Sequence, residues 1–321
     1  MIMPMSMEHS DVTIRPITGT EELDLFGRLS YVLDHEVADD FAQGRRRPDW
    51  TWIALAGDRL AARIAFWGRP DSQVPALLDF LDVDPALTRD DRLAIGGRLL
   101  DAALAAVVPS GTRPPEYSRF VPPDWREDAA ARSVVADRMA IVEKTGARLL
   151  TERLRLEWRP GVAMPDAGAR LTFRPFADTE ELLTLTSSAL SGTLDVHSRE
   201  DLTRMSAREA AIRHYESEFA LFSSPRDWWQ VAVRDDGEPV GFVIPARNAY
   251  NAIIAYLAVL PEHRGHGYID DILAEGTRIL AEQDVPRIRA STDLDNVPMA
   301  NAFRRAGYVN FEREIKMGWG G

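Results

Sequence analysis

The sequence predicts an α+β protein of mixed strand and helix order, built from two copies of one unit. Two observations carry this reading. A series of short patterns recurs in the same order along the chain, and one copy holds a glycine turn between a strand and a helix that the other lacks. With 321 residues and 45% hydrophobic content, the chain has apolar material for about two cores.

The repeat begins with Val12-Thr13-Ile14-Arg15-Pro16 followed by Thr20-Glu21-Glu22-Leu23. It returns as Leu171-Thr172-Phe173-Arg174-Pro175 followed by Thr179-Glu180-Glu181-Leu182, an offset of 159 residues from Leu23 to Leu182. Each reads as an alternating strand, a proline stop, and a helix with Thr at the N-cap and acidic residues in the first turn. Next, 52–55 before Gly57-Asp58 matches 230–233 before Asp236-Gly237, each a strand entering a hairpin turn. Then 80–85 matches 256–261 as a strand ending in proline. Finally Gly146 and Gly307 each close a helix in the left-handed conformation before a last strand, finishing at Trp158 and near Trp319. The expected units are therefore 11–160 and 170–321, joined by a linker over 159–168.

The second unit reads as a strand at 170–174, helices at 179–190 and 207–222, a hairpin at 230–244 and a strand at 252–260. A helix at 269–280, a strand at 287–291, a helix at 297–305 and a strand at 308–317 follow. This is not the strict strand–helix alternation of a dinucleotide fold. Between strand and helix lies Pro261-Glu262-His263-Arg264-Gly265-His266-Gly267-Tyr268. Successive backbone N–H groups in such a turn form a nest for phosphate oxygens at a helix start. The first unit keeps the strand and a helix over 93–107, but Ala86-Leu87-Thr88-Arg89-Asp90-Asp91-Arg92 offers no glycine turn, and its acidic residues would repel phosphate. One working anion site is expected.

Cysteine is absent, which excludes disulfides, thiolate metal sites and a cysteine nucleophile, and suits a reducing compartment. A net charge of -12 argues against a broad nucleic-acid face and favours positively charged substrates. The histidines are scattered and no metal site is expected. The first nine residues lack a basic region and a long apolar segment, and no run is long enough to span a membrane, so a cytoplasmic protein is expected. Arg45-Arg46-Arg47 reads as a solvated loop.

The order of elements and the turn resemble the GCN5-related N-acetyltransferase (GNAT) family. Its diagnostic turn has Arg or Gln, two residues, Gly, one residue, then Gly or Ala; here this reads Arg264-Gly265-His266-Gly267-Tyr268-Ile269, with the bulkier Ile269 at the last position. A second block, Asn296-Val297-Pro298-Met299-Ala300-Asn301 continuing to Phe303 and Gly307-Tyr308, resembles the family's late helix, in the variant of tandem members such as mycothiol synthase. The resemblance implies two tandem GNAT folds, each a mixed central sheet flanked by helices, the first degenerate and the second holding acetyl-coenzyme A. Leu257, Ala258 and Val259 would then offer backbone groups to the pantetheine arm. The backbone of Arg264, Gly265, His266, Gly267, Tyr268 and Ile269 would hold the pyrophosphate, and Asn296 and Phe303 would line the other side.

The implied reaction is direct attack of a small-molecule primary amine on the thioester, with no covalent enzyme intermediate and a strand N–H near Val259 facing the developing oxyanion. Many members carry a tyrosine acid where this chain has Phe303, so the proton donor falls to Tyr256 or Tyr308. A distant base is sought in Glu218, Asp227 or His214; His214, Tyr215, Glu218 and Phe219 share one face of the expected helix. A non-catalytic coenzyme A-binding or regulatory protein on the same scaffold is the alternative, and an aminoacyl-transferase with another donor a third. The amine's identity and the oligomeric state, monomer or homodimer, are left open by the sequence.

Overall fold

The computed structural model describes residues 12–163 and 170–320, so the segment 1–9 and linker residues 164–168 discussed above lie outside the described part. In chain order the elements are β1 (Val12–Pro16), α1 (Leu23–Phe26), α2 (Val37–Ala42), β2 (Thr51–Ala56), β3 (Arg59–Trp67), β4 (Leu77–Val83), α3 (Arg89–Val107), β5 (Glu116–Val121), α4 (Ala129–Glu143) and β6 (Ala147–Trp158). There follow β7 (Thr172–Pro175), α5 (Thr179–Ala189), α6 (Val196–Asp201), α7 (Ala207–Ser217), β8 (Gln230–Val233), β9 (Pro239–Arg247), β10 (Ala252–Val259), α8 (Tyr268–Ala281), β11 (Ile288–Asp293), α9 (Val297–Arg305) and β12 (Val309–Trp319). No helix among the described residues is long and apolar enough to cross a membrane.

The chain divides into two compact units, one of residues up to Glu152 with those from Glu314 on, the other Arg153–Arg313. The division passes inside β6 and β12 and not through the segment 159–168. Strand pairing and burial set it. Arg153–Trp158 pairs with β11 in the second unit, and Ile315, Met317 and Trp319 are buried in the core of the first.

In the first unit β1-β2-β3-β4-β5 are neighbours in that order, all antiparallel except the parallel pair β4–β5. That pair is in register at Leu77↔Glu116 and Leu78↔Tyr117, after which the strands part. Charged side chains gather in the region beyond, where Arg92, Asp137 and Arg138 line a cavity of about 220 Å³. Asp82 on β4 is buried and accepts from Arg63 Nε at 2.9 Å, from Arg119 of β5 at 2.7 Å and from Arg138 of α4 at 2.7 Å. Arg46 closes a fork on Asp79 at 2.6 and 2.8 Å and reaches Asp40 at 3.0 Å. The expectation of a solvated arginine loop is thus corrected. Arg45 and Arg46 are buried because Asp40 and Asp79 neutralise them, while Arg47 lies over the Trp50 ring at 3.7 Å. Beside the start of α3, Arg89 and Arg92 converge on Asp137 of α4 at 2.9 and 2.6 Å.

The second unit has the order β6-β11-β10-β9-β8-β7, again antiparallel except for one pair, β10–β11. Its sheet is covered on both faces. Phe242 and Ile244 of β9 enter a core with α5 and the Phe219–Leu221 turn, while Val243, pointing the other way, enters one with α8 and α9. Gly276 lets α8 lie directly on β9, since a Cβ there would come within 2.6 Å of Val243 Cγ2.

The repeat read from the sequence recurs as geometry. Arg15 pairs with Glu22 at 2.6 Å and Arg174 with Glu181 at 2.5 Å. Each arginine also donates to the following proline carbonyl, and each glutamate accepts a backbone N–H four residues before it at 2.7 Å. The caps differ from expectation. Asp178, not Thr179, caps α5 by accepting from Glu181 N at 2.8 Å, and Thr20 opens a 3-10 turn after Gly19 with no side-chain cap. The helix expected over 207–222 ends at Ser217, because Glu218 leaves helical geometry at φ -136° and a 3-10 turn follows. The short helix α6 went unread, since Val-His-Ser-Arg-Glu-Asp has no apolar period.

Candidate functional site

A cleft of about 450 Å³ opens in the second unit where β10 and β11 part. The two strands are paired only at Ala252↔Ile288 and Ile253↔Arg289, and a bulge between Ile254 and Tyr256 disturbs the β9 side as well. A bulge leaves its extra residue out of the ladder and bends the strand. The β10 edge from Ile254 to Val259 therefore faces open space on the side away from β9, where an extended ligand can pair with it, apart from Val259 O, which Arg264 holds. Ser291 and Thr292 of β11 form the opposite wall, and Asn296, Pro298 and Met299 at the start of α9 add to it.

The glycine turn forms one end. Gly265 and Gly267 both have left-handed φ, +83° and +76°, which β-carbon-bearing residues adopt at a cost. Gly267 is the N-cap of α8 and supplies no side-chain cap, so the first amides of a 14-residue helix point outward with the positive end of its dipole. Added Cβ atoms would find open space at Gly265 and approach only Arg170, at 4.0 Å, from Gly267. Such a helix end, continuous with an unpaired strand edge, fits an elongated ligand that carries phosphate at one end.

Two arginines brace the turn. Arg264 folds back and donates to Val259 O at 3.1 Å, Ala189 O at 2.8 Å and Ser191 O at 2.7 Å, tying the turn to the C-terminal end of α5, where a cation is favoured. Arg170 donates to His266 O at 3.1 Å and pairs with Asp271 at 2.6 Å. This role of Arg170 was not legible in the linear sequence, because its partners lie 96 and 101 residues away.

The expected site residues separate into two groups. Tyr256, Leu257, Ala258, Val259, Arg264, Gly265, Gly267, Tyr268, Ile269 and Asn296 all line the cleft. His266 is exposed beside the cleft with its carbonyl held by Arg170, and Asn296 also caps α9 by accepting from Met299 N at 3.4 Å. Phe303 and Tyr308 do not line it. Both are buried and packed edge to face, centroids 5.0 Å apart, and the Tyr308 hydroxyl bonds Thr277 Oγ1 at 2.8 Å. Glu218 is an exposed residue at the end of α7, outside the lining, and the shared face with Phe219 ends where the helix does. His214 lies 3.8 Å from Asp201, and burial holds its pKa below the ordinary value despite that carboxylate.

Tyr256 stacks on Phe242 at 5.6 Å and meets Phe219 edge to face at 5.7 Å. Burial pushes its phenol well above the ordinary tyrosine value, so it keeps its proton. Residues that the sequence left unread also line the cleft: Arg153 from β6, and Leu194 and Asp195 from the connection into α6. Asp195 caps α6, accepting from Ser198 N at 2.8 Å. Burial raises its pKa, but Arg153 and Ser198 outweigh this and hold it below the ordinary value. Asp293, at the end of β11, accepts from Val196 N at 2.7 Å; burial is the stronger influence there and raises its pKa.

Comparison with known proteins agrees with this architecture. Residues 195–308, which hold most of the cleft, match the acetyltransferase (GNAT) family. A mycothiol acetyltransferase of Arthrobacter sp. (strain FB24) is 26% identical over 170 residues, covering 50% of this chain. The match takes in 48% of that protein, so the chain spans about half the length of this curated relative. Among solved structures, a GCN5-related N-acetyltransferase from Sphaerobacter thermophilus superposes with a TM-score of 0.62 at 16% identity, covering 96% of this chain and 95% of that one. A tandem GNAT protein from the clavulanic acid biosynthesis pathway gives 0.52 at 14% identity, covering 97% and 99%. At these identities the likeness is one of fold.

Proposed function

We propose that this chain, whose residues 195–308 match the acetyltransferase (GNAT) family, is a tandem acetyl-coenzyme A-dependent N-acetyltransferase with one working cofactor site, acting on a small-molecule primary amine. The observation that carries the reading is the single cleft in which a parted strand pair, a bulge and an uncapped helix start meet. The turn amides from Arg264 to Ile269 would hold the pyrophosphate, and the free edge of Leu257, Ala258 and Val259 would bond the pantetheine arm. Acetyl-coenzyme A, when bound, supplies a thioester open to direct attack by a neutral amine.

Within the cleft, amides of the β10 edge are the donors that can face a developing oxyanion. Tyr256 serves there as a hydrogen-bond donor, because a phenol held above its ordinary pKa retains its proton. Tyr308 is a structural residue in this reading. Tyr308→Phe is expected to lower unfolding free energy by about 1 kcal/mol through loss of its bond to Thr277, leaving acetyl transfer unchanged. Thermal melts beside a turnover assay measure both; a large loss of turnover with an intact melt would return Tyr308 to the chemistry.

The first unit is read as a relative that no longer binds the cofactor. Its strands part at the corresponding place, but the cavity there is smaller, about 220 Å³, Arg92, Asp137 and Arg138 pair charges along its wall, and α3 starts from a Thr88 cap instead of a glycine turn. Calorimetric titration with coenzyme A is expected to give one site per chain. Release of free thiol from acetyl-coenzyme A with an amine panel tests the enzyme reading. Binding without thiol release for any amine would favour a non-catalytic cofactor-binding protein.

A further inference from the structure

The cofactor assignment leaves the Arg153 and Asp195 part of the cleft lining without a role. Several arginines carry a buried nitrogen that makes no hydrogen bond among the described residues, and Arg153 is the one of them that lines the cleft. The other arginine of the lining, Arg264, is spent on four backbone carbonyls. Arg153 has one carboxylate within ion-pair distance among the described residues, Asp293, whose Oδ1 lies 3.5 Å from Nε. Both that Nε and that Oδ1 are buried, and neither makes a hydrogen bond among the described residues. A guanidinium is a rigid fork matched to a carboxylate, and here the fork is held at a cleft wall without being closed by the protein.

Asp195 lines the same cleft, anchored on one oxygen by Ser198 N. One guanidinium with two carboxylates, Asp195 and Asp293, gives this corner a formal charge of about -1 when all are ionised. A dianionic phosphate is disfavoured in such a setting. A simple amine would satisfy Asp195 and leave the Arg153 fork unpaired. A ligand with one positive and one negative group satisfies both.

Resting on the acetyltransferase reading above, we propose that the acceptor is an amino-acid-like zwitterion, whose carboxylate is taken by Arg153 and whose ammonium is held by Asp195. Arg153 thereby becomes the residue that distinguishes carboxylate-bearing amines from others. A buried hydrogen-bonding group left unpaired by the wrong ligand discriminates by about 10-fold or more.

The test uses the full chain loaded with coenzyme A, titrated calorimetrically with the standard L-amino acids and with their C-terminal amides, which keep the amine but lose the carboxylate. At least one free amino acid is expected to bind about 10-fold or more tightly than its amide. Arg153→Gln should shrink that ratio to about 3-fold or less in the folded variant, and Arg153→Lys should fall between. Amides that bind as well as the acids would overturn the proposal, as would no binding by any of the acids, or an equal loss for acid and amide in Arg153→Gln. Coenzyme A titration without amine reports separately on the cofactor reading. If it failed, the same acid and amide comparison on the unloaded chain would still decide whether Arg153 recognises a carboxylate.

Discussion

Asp82→Ala is expected to lower unfolding free energy by about 3–5 kcal/mol, the usual result of removing one partner from a buried ion cluster. Three guanidiniums, Arg63, Arg119 and Arg138, share this carboxylate, and Arg63 is fully buried. Without Asp82 they keep the cost of leaving water and lose the charge that offsets it. Burial raises the Asp82 pKa, but attraction to Arg119, Arg138 and Arg63 outweighs it and holds the group down to about 2. The unfolded group titrates near 4, so its contribution is fully present above about pH 4 and is lost as pH falls through about 2. Denaturant unfolding from pH 7 to pH 2 should therefore show less acid destabilisation in the variant than in the parent chain. A cost below about 1 kcal/mol at pH 7 would mean that the cluster relaxes or admits water. The variant should still bind one coenzyme A where it remains folded, because its cluster lies in the unit without the glycine turn.

Replacing both turn glycines, Gly265→Val with Gly267→Val, is expected to weaken coenzyme A binding by about 30-fold or more. Left-handed backbone costs about 1–2 kcal/mol for a residue with a β-carbon, and a β-branched side chain adds to it. At each site open space or a 4.0 Å approach means that strain, not collision, is the cause. The turn can relieve that strain only by turning its amides away from the nest. Since the turn is exposed, melting temperature should change far less than affinity. Calorimetric titration reads the affinity, and a wild-type dissociation constant in the double variant would sink the assignment of this turn to the pyrophosphate.

Both expectations depend on a contrast that the sequence shows in part. The Arg264–Tyr268 turn and the shared Arg-Pro and Thr-Glu-Glu patterns were legible because they are local. A left-handed glycine, a proline stop and a strand period are written in adjacent residues. The missing turn after Pro85 was equally legible. The catalytic side was less so. Tyr308 and Phe303 sit at family-like spacings, yet the fold turns both into the core, where Thr277 satisfies the hydroxyl. Glu218 lies just past the end of α7 at Ser217, five residues short of the 222 expected from the sequence, and outside the cleft.

Local chemistry by itself determined the mixed α/β class, the repeated strand–helix openings and the position of the phosphate-type turn, since each follows from backbone preference within a few residues. Tertiary structure alone decided which arginines are buried, where the units divide inside β6 and β12, and that Arg153, with Asp293 buried against it, and Asp195 line one cleft. These depend on partners from tens to more than a hundred residues away. A charge's worth is set by the neighbours and the water that folding leaves around it, and a linear pattern carries neither.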